Sequence, residues 1–379
     1  MKRLADEICK HSCDAYVIYN SASNADMRYV SGFSAGDPFI FVYKPDGSAT
    51  IIVSVMEELR ARKESACNVV TRSALNLPAL LKETGDIERA TARMIVQFAG
   101  ARLLIPRTME IGFAQKLMAE ADLVIVDENS TIEKIRMEKS PAELEKIRAV
   151  QKVNERALGA AVSAIRRADV RDGLLFLEGA PLTSDLVRDI IHFEMHKGGC
   201  LDMDTIVSCA EETAMPHAAG EKQLCAGEPI VMDLFPRDMK SGYFADMTRT
   251  VSRGAPRDEI IRMYEAVREA KRLGESMIRP GITGAEVHNA VADFFTEKGF
   301  ETAGNSGFIH SLGHGVGLEI HEAPNLSPSG GVLKPGDVVT VEPGLYYPGT
   351  GGVRLEDMGV VTDDGFEIFT NYEEELIIE

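Results

Sequence analysis

The sequence predicts an α+β protein of two domains. An N-terminal α/β domain spans 1–131, and a C-terminal domain spans 132–379 as a pseudo-twofold antiparallel sheet with helices outside. Three observations carry this. The first third alternates short β-rich runs with helical stretches. A strong helix start at Ser140 follows the boundary. Beyond it the order helix, helix, sheet occurs twice.

In the first domain, Ala15 to Tyr19, Phe39 to Tyr43, Ala49 to Val55, Leu103 to Ile105 and Leu123 to Val126 read as strands. Lys44-Pro45-Asp46-Gly47 supplies a turn between the second and third. Arg28 to Phe33 (R-Y-V-S-G-F) reads as a loop. No catalytic constellation is visible here.

Ser140-Pro141-Ala142-Glu143 combines an N-cap, a proline at the first helical position and the glutamate of a capping box. Leu144, Ile147, Val150, Val153, Ala157, Ala161 and Ile165 then follow at helical spacing. Arg166 and Arg167 close the helix against its dipole. A second helix runs from about Ser184 to Lys197 before Gly198-Gly199, a third from near Pro256 to Met277, and a fourth from Thr283 to Gly299. β-rich sequence follows each pair. Thr183 matches Thr283, Val187 matches Val287, Ile191 matches Val291 and Gly199 matches Gly299. An internal duplication places a site at the sheet shared by both halves.

With 379 residues there is material for two sizeable cores, and the net charge of -18 argues against a nucleic-acid partner. The six cysteines form no C-x-x-C pair and read as free thiols. No apolar run is long enough to span a membrane and no signal-peptide core is seen, so the expected location is cytoplasmic.

The chemistry gathers in the last third. H-S-L-G-H-G-V-G-L-E-I-H-E covers His310 to Glu322, V-V-T-V-E-P-G carries Glu342, and V-R-L-E-D carries Glu356. The first half adds I-V-M-D, ending at Asp233, and G-Y-F-A-D-M-T-R-T, containing Asp246. Two buried aspartates on adjacent antiparallel strands repel each other unless a cation lies between them. Asp246 alone reads equally well as a hairpin-surface residue. Taken together, Asp233, Asp246, Glu342 and Glu356 with His314 suit two divalent ions, Mn²⁺, Co²⁺ or Zn²⁺.

These five positions, in this order, resemble the pita-bread metallopeptidases, which include methionine aminopeptidase, aminopeptidase P, prolidase and creatinase. His310 to Glu322 is similar to the proline-peptidase signature, and R-Y-V-S-G-F is similar to a stretch of that branch's creatinase-like N-terminal domain. The resemblance implies that Asp233 chelates one metal and that Asp246 and Glu356 bridge both. It implies that His314 and Glu342 bind the other, with Glu342 also handling the proton of the attacking water. It makes His217 a loop histidine near the scissile bond and His321 a stabiliser of the tetrahedral intermediate. His310 and Arg354 become orienting groups, and Tyr243 packs on the site or fills the core. His192, His196 and His288 match no motif and read as bland.

The two aspartates stand thirteen residues apart, where the family usually has eleven. A two-residue change keeps strand parity. Asp238 is a rival first ligand, and Asp233 is preferred because it ends the apolar run. The implied activity is removal of an N-terminal residue preceding proline, by an enzyme acting on peptides with proline second, expected as a homodimer. Dipeptidases of the branch often carry arginine after H-E-x-P to hold the free carboxylate. Here H-E-A-P is followed by Asn325, which tips the reading towards Xaa-Pro aminopeptidase over prolidase. A metal-free creatinase-like hydrolase and a non-catalytic peptide-binding protein are the remaining readings. Retention of all five ligand types argues against both.

Overall fold

Apolar residues on both faces of the N-terminal strands call for a layer of helices on each side. The computed structural model describes residues 1–201 and 203–379, and the chain divides into Met1–Arg136 and Met137–Glu379. In the first unit six strands run in the order Asn68–Thr71, Ala49–Val53, Phe39–Tyr43, Ala15–Asn20, Arg102–Pro106 and Leu123–Asp127. Tyr16, Ile18, Phe41 and Ile51 face a core closed by Lys2–Lys10, Ala25–Ser31 and Glu58–Glu64. Val17, Ile40, Val42 and Ile52 face the opposite core, closed by Leu77–Thr84, Ile87–Ala99 and Ile111–Glu120.

Two features of this unit differ from the sequence reading. Asn68–Thr71 is an edge strand too short to stand out by pattern. Part of Arg28 to Phe33 is helical, not loop, because Ala25–Ser31 is capped locally. The Asn24 side chain accepts the Met27 N–H at 2.8 Å and the helix ends at Gly32. The division between units falls within the Thr131–Met137 helix.

The second unit begins with the expected capping box. The Ser140 N–H donates to the Glu143 carboxylate at 2.9 Å, and the helix runs Pro141–Arg167. It pairs with Ser184–Lys197, and Asp258–Met277 pairs with Gly284–Glu297. The duplication is exact at its anchors. Thr183 and Thr283 both cap through their hydroxyls, at 3.2 and 3.1 Å. Val187, Val287, Ile191 and Val291 are all fully buried, each contributing roughly 1.5–3 kcal/mol. Gly199 and Gly299 both turn the chain with positive φ, +79° and +83°.

The expected shared sheet forms as two. One has the order Ile206–Cys209, Ile230–Leu234, Met247–Arg253, Ile377–Ile378. The other has Glu322–Leu326, Gly313–Gly315, Val338–Val341, Asp357–Val361, Phe366–Ile368. Hydrogen bonds stitch them together. The Glu356 N–H donates to Thr248 O at 3.1 Å, and the Thr250 hydroxyl donates to Arg354 O at 2.8 Å. That seam brings the carboxylates of the two halves together.

Candidate metal centre

The Asp233 hairpin is positioned by register. Asp233 pairs with Thr248 and Leu234 with Met247, and the same alignment continues to the Arg237–Phe244 bridge without a bulge. Side chains alternate, so Asp233, Asp246 and Thr248 share a face and Tyr243 and Ala245 take the other. The two additional residues are therefore absorbed at the tip. There the Asp238 side chain accepts the Ser241 N–H and lines a separate small pocket with Lys146 and Cys200. Asp246 stands just before its strand Met247–Arg253, not inside it as the sequence suggested.

A cavity of about 960 Å³ is lined by Asp233, Asp246, His314, Glu342, Glu356, His217, His310, His321 and Arg354. Nine of the ten site residues singled out by sequence thus meet in one place. Tyr243 is the exception: it is buried away from the cavity, which departs from the site reading and fits the other one, that it fills the core. Its hydroxyl donates to Glu143 at 2.7 Å and Lys146 lies over its ring, because alternation turns it to the opposite face from Asp246. His192, read as bland, lines the cavity beside Arg188. Their i, i+4 spacing on Ser184–Lys197 was the available signal. His288 fits the bland reading, as its Nδ1 accepts the Leu312 N–H at 3.2 Å.

Among the described residues, hydrogen bonding leaves a pattern of free lone pairs. Asp233 Oδ2 accepts from Arg354 at 2.7 Å, while Oδ1 is buried without a partner. Glu356 Oε2 accepts from the Thr248 hydroxyl at 2.7 Å, while Oε1 is buried without one. Asp246 Oδ1 is likewise unpartnered. His314 Nδ1 lies 3.2 Å from Gly315 O, a carbonyl that can only accept, so the proton sits on Nδ1. Its Nε2 lone pair then faces Glu342 Oε1 at 3.3 Å and Asp246 Oδ2 at 3.5 Å. Acceptors facing acceptors in a buried site require protons or cations between them.

The protonation energetics agree. Burial pushes the Glu356 carboxyl up to about 8, with Asp233 adding repulsion. Burial, then Glu356, raises both Asp246 and Glu342 well above the usual carboxylate range. Burial drops His314 to about 3, with His321 pushing the same way, so its imidazole is neutral. A neutral imidazole and converging carboxylates are a donor set for divalent cations. One atom each of Asp246, His314 and Glu356 lies within 4.8 Å of the others. The residues present fit metal binding.

Around this set stand the other histidines. The His321 ring packs edge-on against His314, centroids 4.3 Å apart. His310 Nδ1 donates to Ser311 O at 2.8 Å, which leaves Nε2 to accept from the Tyr346 hydroxyl at 2.9 Å. Arg354 donates to the same hydroxyl at 2.8 Å, so His310, Tyr346, Arg354 and Asp233 form one chain. Asn325 and Ser327 line the cavity, and Phe235, Ile206 and Ile320 add apolar wall.

Comparison with known proteins gives three findings. The family model described as Metallopeptidase family M24 matches residues 145–363, and that of the Creatinase/Prolidase N-terminal domain matches 1–138. An uncharacterized peptidase of Bacillus subtilis is 33% identical over 94% of this chain and 94% of its own. A Xaa-Pro dipeptidase of Pyrococcus horikoshii is 30% identical over 100% of this chain and 98% of its own. The solved Xaa-Pro dipeptidase from Bacillus anthracis superposes with a TM-score of 0.84 at 29% identity, covering 100% of this chain and 98% of that one. No helix among the described residues is long and apolar enough to cross a membrane.

Proposed function

The chain belongs to metallopeptidase family M24, with a creatinase/prolidase N-terminal domain, and from that premise we propose that it is an Xaa-Pro dipeptidase. The observation that carries the choice is the 30% identity, over the whole chain, to a protein named for that activity. This replaces the preference for aminopeptidase drawn from Asn325. Asn325 lines the cavity, so its amide still favours aminopeptidase as the second reading.

Asp233, Asp246, His314, Glu342 and Glu356 would hold two divalent ions, Mn²⁺ or Co²⁺ foremost and Zn²⁺ as an alternative. When bound, such ions polarise the scissile carbonyl and lower the pKa of water. The protein's own groups do the rest. Glu342, whose burial raises its proton affinity, takes the proton of the attacking water and passes it towards the leaving proline nitrogen. His321 and His217 face the cavity and donate hydrogen bonds to the tetrahedral oxygen and the scissile amide. Burial lowers the His321 pKa, so it acts as a neutral donor. Arg354 occupies one oxygen of Asp233 and leaves the other turned to the site. Phe235, Ile206 and Ile320 offer apolar surface to the proline ring and the first residue.

The test is a panel of Xaa-Pro dipeptides against Xaa-Pro-Yaa tripeptides, with Mn²⁺, Co²⁺ or Zn²⁺ added. Dipeptides should be the better substrates, with activity lost on chelation and restored by metal. Faster cleavage of tripeptides would establish the second reading. No hydrolysis with any of the metals would sink both.

A further inference from the structure

We infer that Arg188 is a positioning residue that holds the His217 loop in its working place. The inference rests on the role proposed above for His217.

His217 sits on an exposed connection between the 210–214 turn and Gly220. Among the described residues its ring has no side-chain hydrogen bond, so the loop backbone alone must place it. That backbone is tied at two ends. On the cavity side Arg354 Nη1 reaches Pro216 O at 3.3 Å. On the far side the chain passes Ala219 and Gly220. Gly220 has φ +83°, and a Cβ there would lie 1.9 Å from Val207 O, so the chain is pressed against the neighbouring strand. The Val207 N–H donates to Ala219 O at 3.0 Å.

Arg188 closes this end from the Ser184–Lys197 helix. Its Nη1 donates to Ala219 O, and its Nη2 donates to Gly220 O at 2.8 Å. Asp185, one turn earlier, accepts from Nη2 and fixes the fork. The side chain is 15% exposed and lines the same cavity as His217. A planar fork spans two adjacent carbonyls with its donors fixed in place, whereas a lysine ammonium would share rotatable donors from one point. Among the described residues Arg188 makes no hydrogen bond or ion pair with the carboxylate cluster, so its removal should leave the proposed metal ligands in place.

A loop histidine displaced by about 1 Å loses its alignment with the reacting atoms, at a cost of up to ~100-fold. Arg188→Ala should therefore lower kcat on Xaa-Pro substrates by about tenfold, with smaller change in KM and with metal content unchanged. Arg188→Lys should recover part of the loss. The deciding measurement is a double-mutant cycle with His217→Ala. If Arg188 acts through His217, Arg188→Ala should change the rate by less than about twofold once His217 is gone. An equal loss from Arg188→Ala in both backgrounds would overturn the inference. So would an Arg188→Ala enzyme of normal kcat. A His217→Ala enzyme of full activity would instead overturn the role given to His217. Arg188→Gln, which keeps a neutral donor, serves in the same cycle if the alanine variant folds poorly in thermal melts.

Discussion

The two halves of the second unit share their frame and differ in what they tolerate. Each is a capped helix pair over a sheet, with anchors one hundred residues apart at Thr183 and Thr283. The first half delivers Asp233 and Asp246 on a hairpin whose tip, Met239 to Gly242, lies outside the cavity lining. The second delivers His314 on a short strand with an irregular register at Gly315. That strand is hemmed in, since a Cβ at Gly313 would stand 2.0 Å from Thr340 O. A site can accept length changes where its ligands hang from an open hairpin. It cannot do so where the ligand strand lies against neighbouring backbone.

The largest effect should come from the chemistry the second half carries. Glu342→Gln keeps shape and removes the proposed proton acceptor, so kcat should fall by about 10³-fold, roughly 4 kcal/mol, with melting temperature retained. Near-normal turnover would remove Glu342 from its role. Next is the packing contrast itself. Gly313→Ala should destabilise by about 3 kcal/mol or more, read by denaturant unfolding. A fully stable Gly313→Ala protein would mean that the strand has room the geometry denies it.

A third test removes the metals and varies pH. Glu356 has its folded-state pKa raised from 4.5 to about 8, and Asp246 and Glu342 are raised as well. A raised carboxyl contributes stability that is fully present below the unfolded value and is lost as pH rises through the folded one. Metal-free protein should therefore melt progressively lower from pH 5 to pH 8, while metal-loaded protein should hold its melting temperature. Parallel curves for the two forms would show that the carboxylates carry no such strain.

The smallest effect tests the hairpin. Deleting Met239 and Lys240 leaves Ser241-Gly242 as a two-residue turn between Asp238 and Tyr243, with the register intact. Stability should change by about 1 kcal/mol or less and metal content should stay the same. Loss of metal would show that the tip controls the ligands after all.

Much of this site was legible because its signals are local. Asp233, Asp246, His314, Glu342 and Glu356 each sit in a short motif. The helices announce themselves through Ser140, Thr183 and Thr283, whose hydroxyls hydrogen-bond to groups within three residues. Other features depend on what lies opposite. The Ala25–Ser31 helix was missed although Asn24 and Gly32 bracket it, because seven residues give too short a period to read. His192 reads as bland because its i, i+4 spacing from Arg188 marks a shared helix face without showing that a cavity lies beside that face. Tyr243 keeps two readings in the sequence, and strand alternation with its bond to Glu143 selects the one away from the cavity.

The sequence by itself determined the order of the elements, the duplication and the chemical types of the candidate ligands, since caps, turns and periodicity act over a few residues. Only the tertiary structure decided which oxygen of each carboxylate is left free and which nitrogen of His314 carries its proton. It also placed Asp233 in the cavity and Asp238 outside it. Those choices are made by partners far along the chain: Arg354 on Asp233, Thr248 on Glu356 and the Thr248–Glu356 seam between the sheets. A lone pair's direction depends on what it meets in space, and that is settled only when the two halves close on each other.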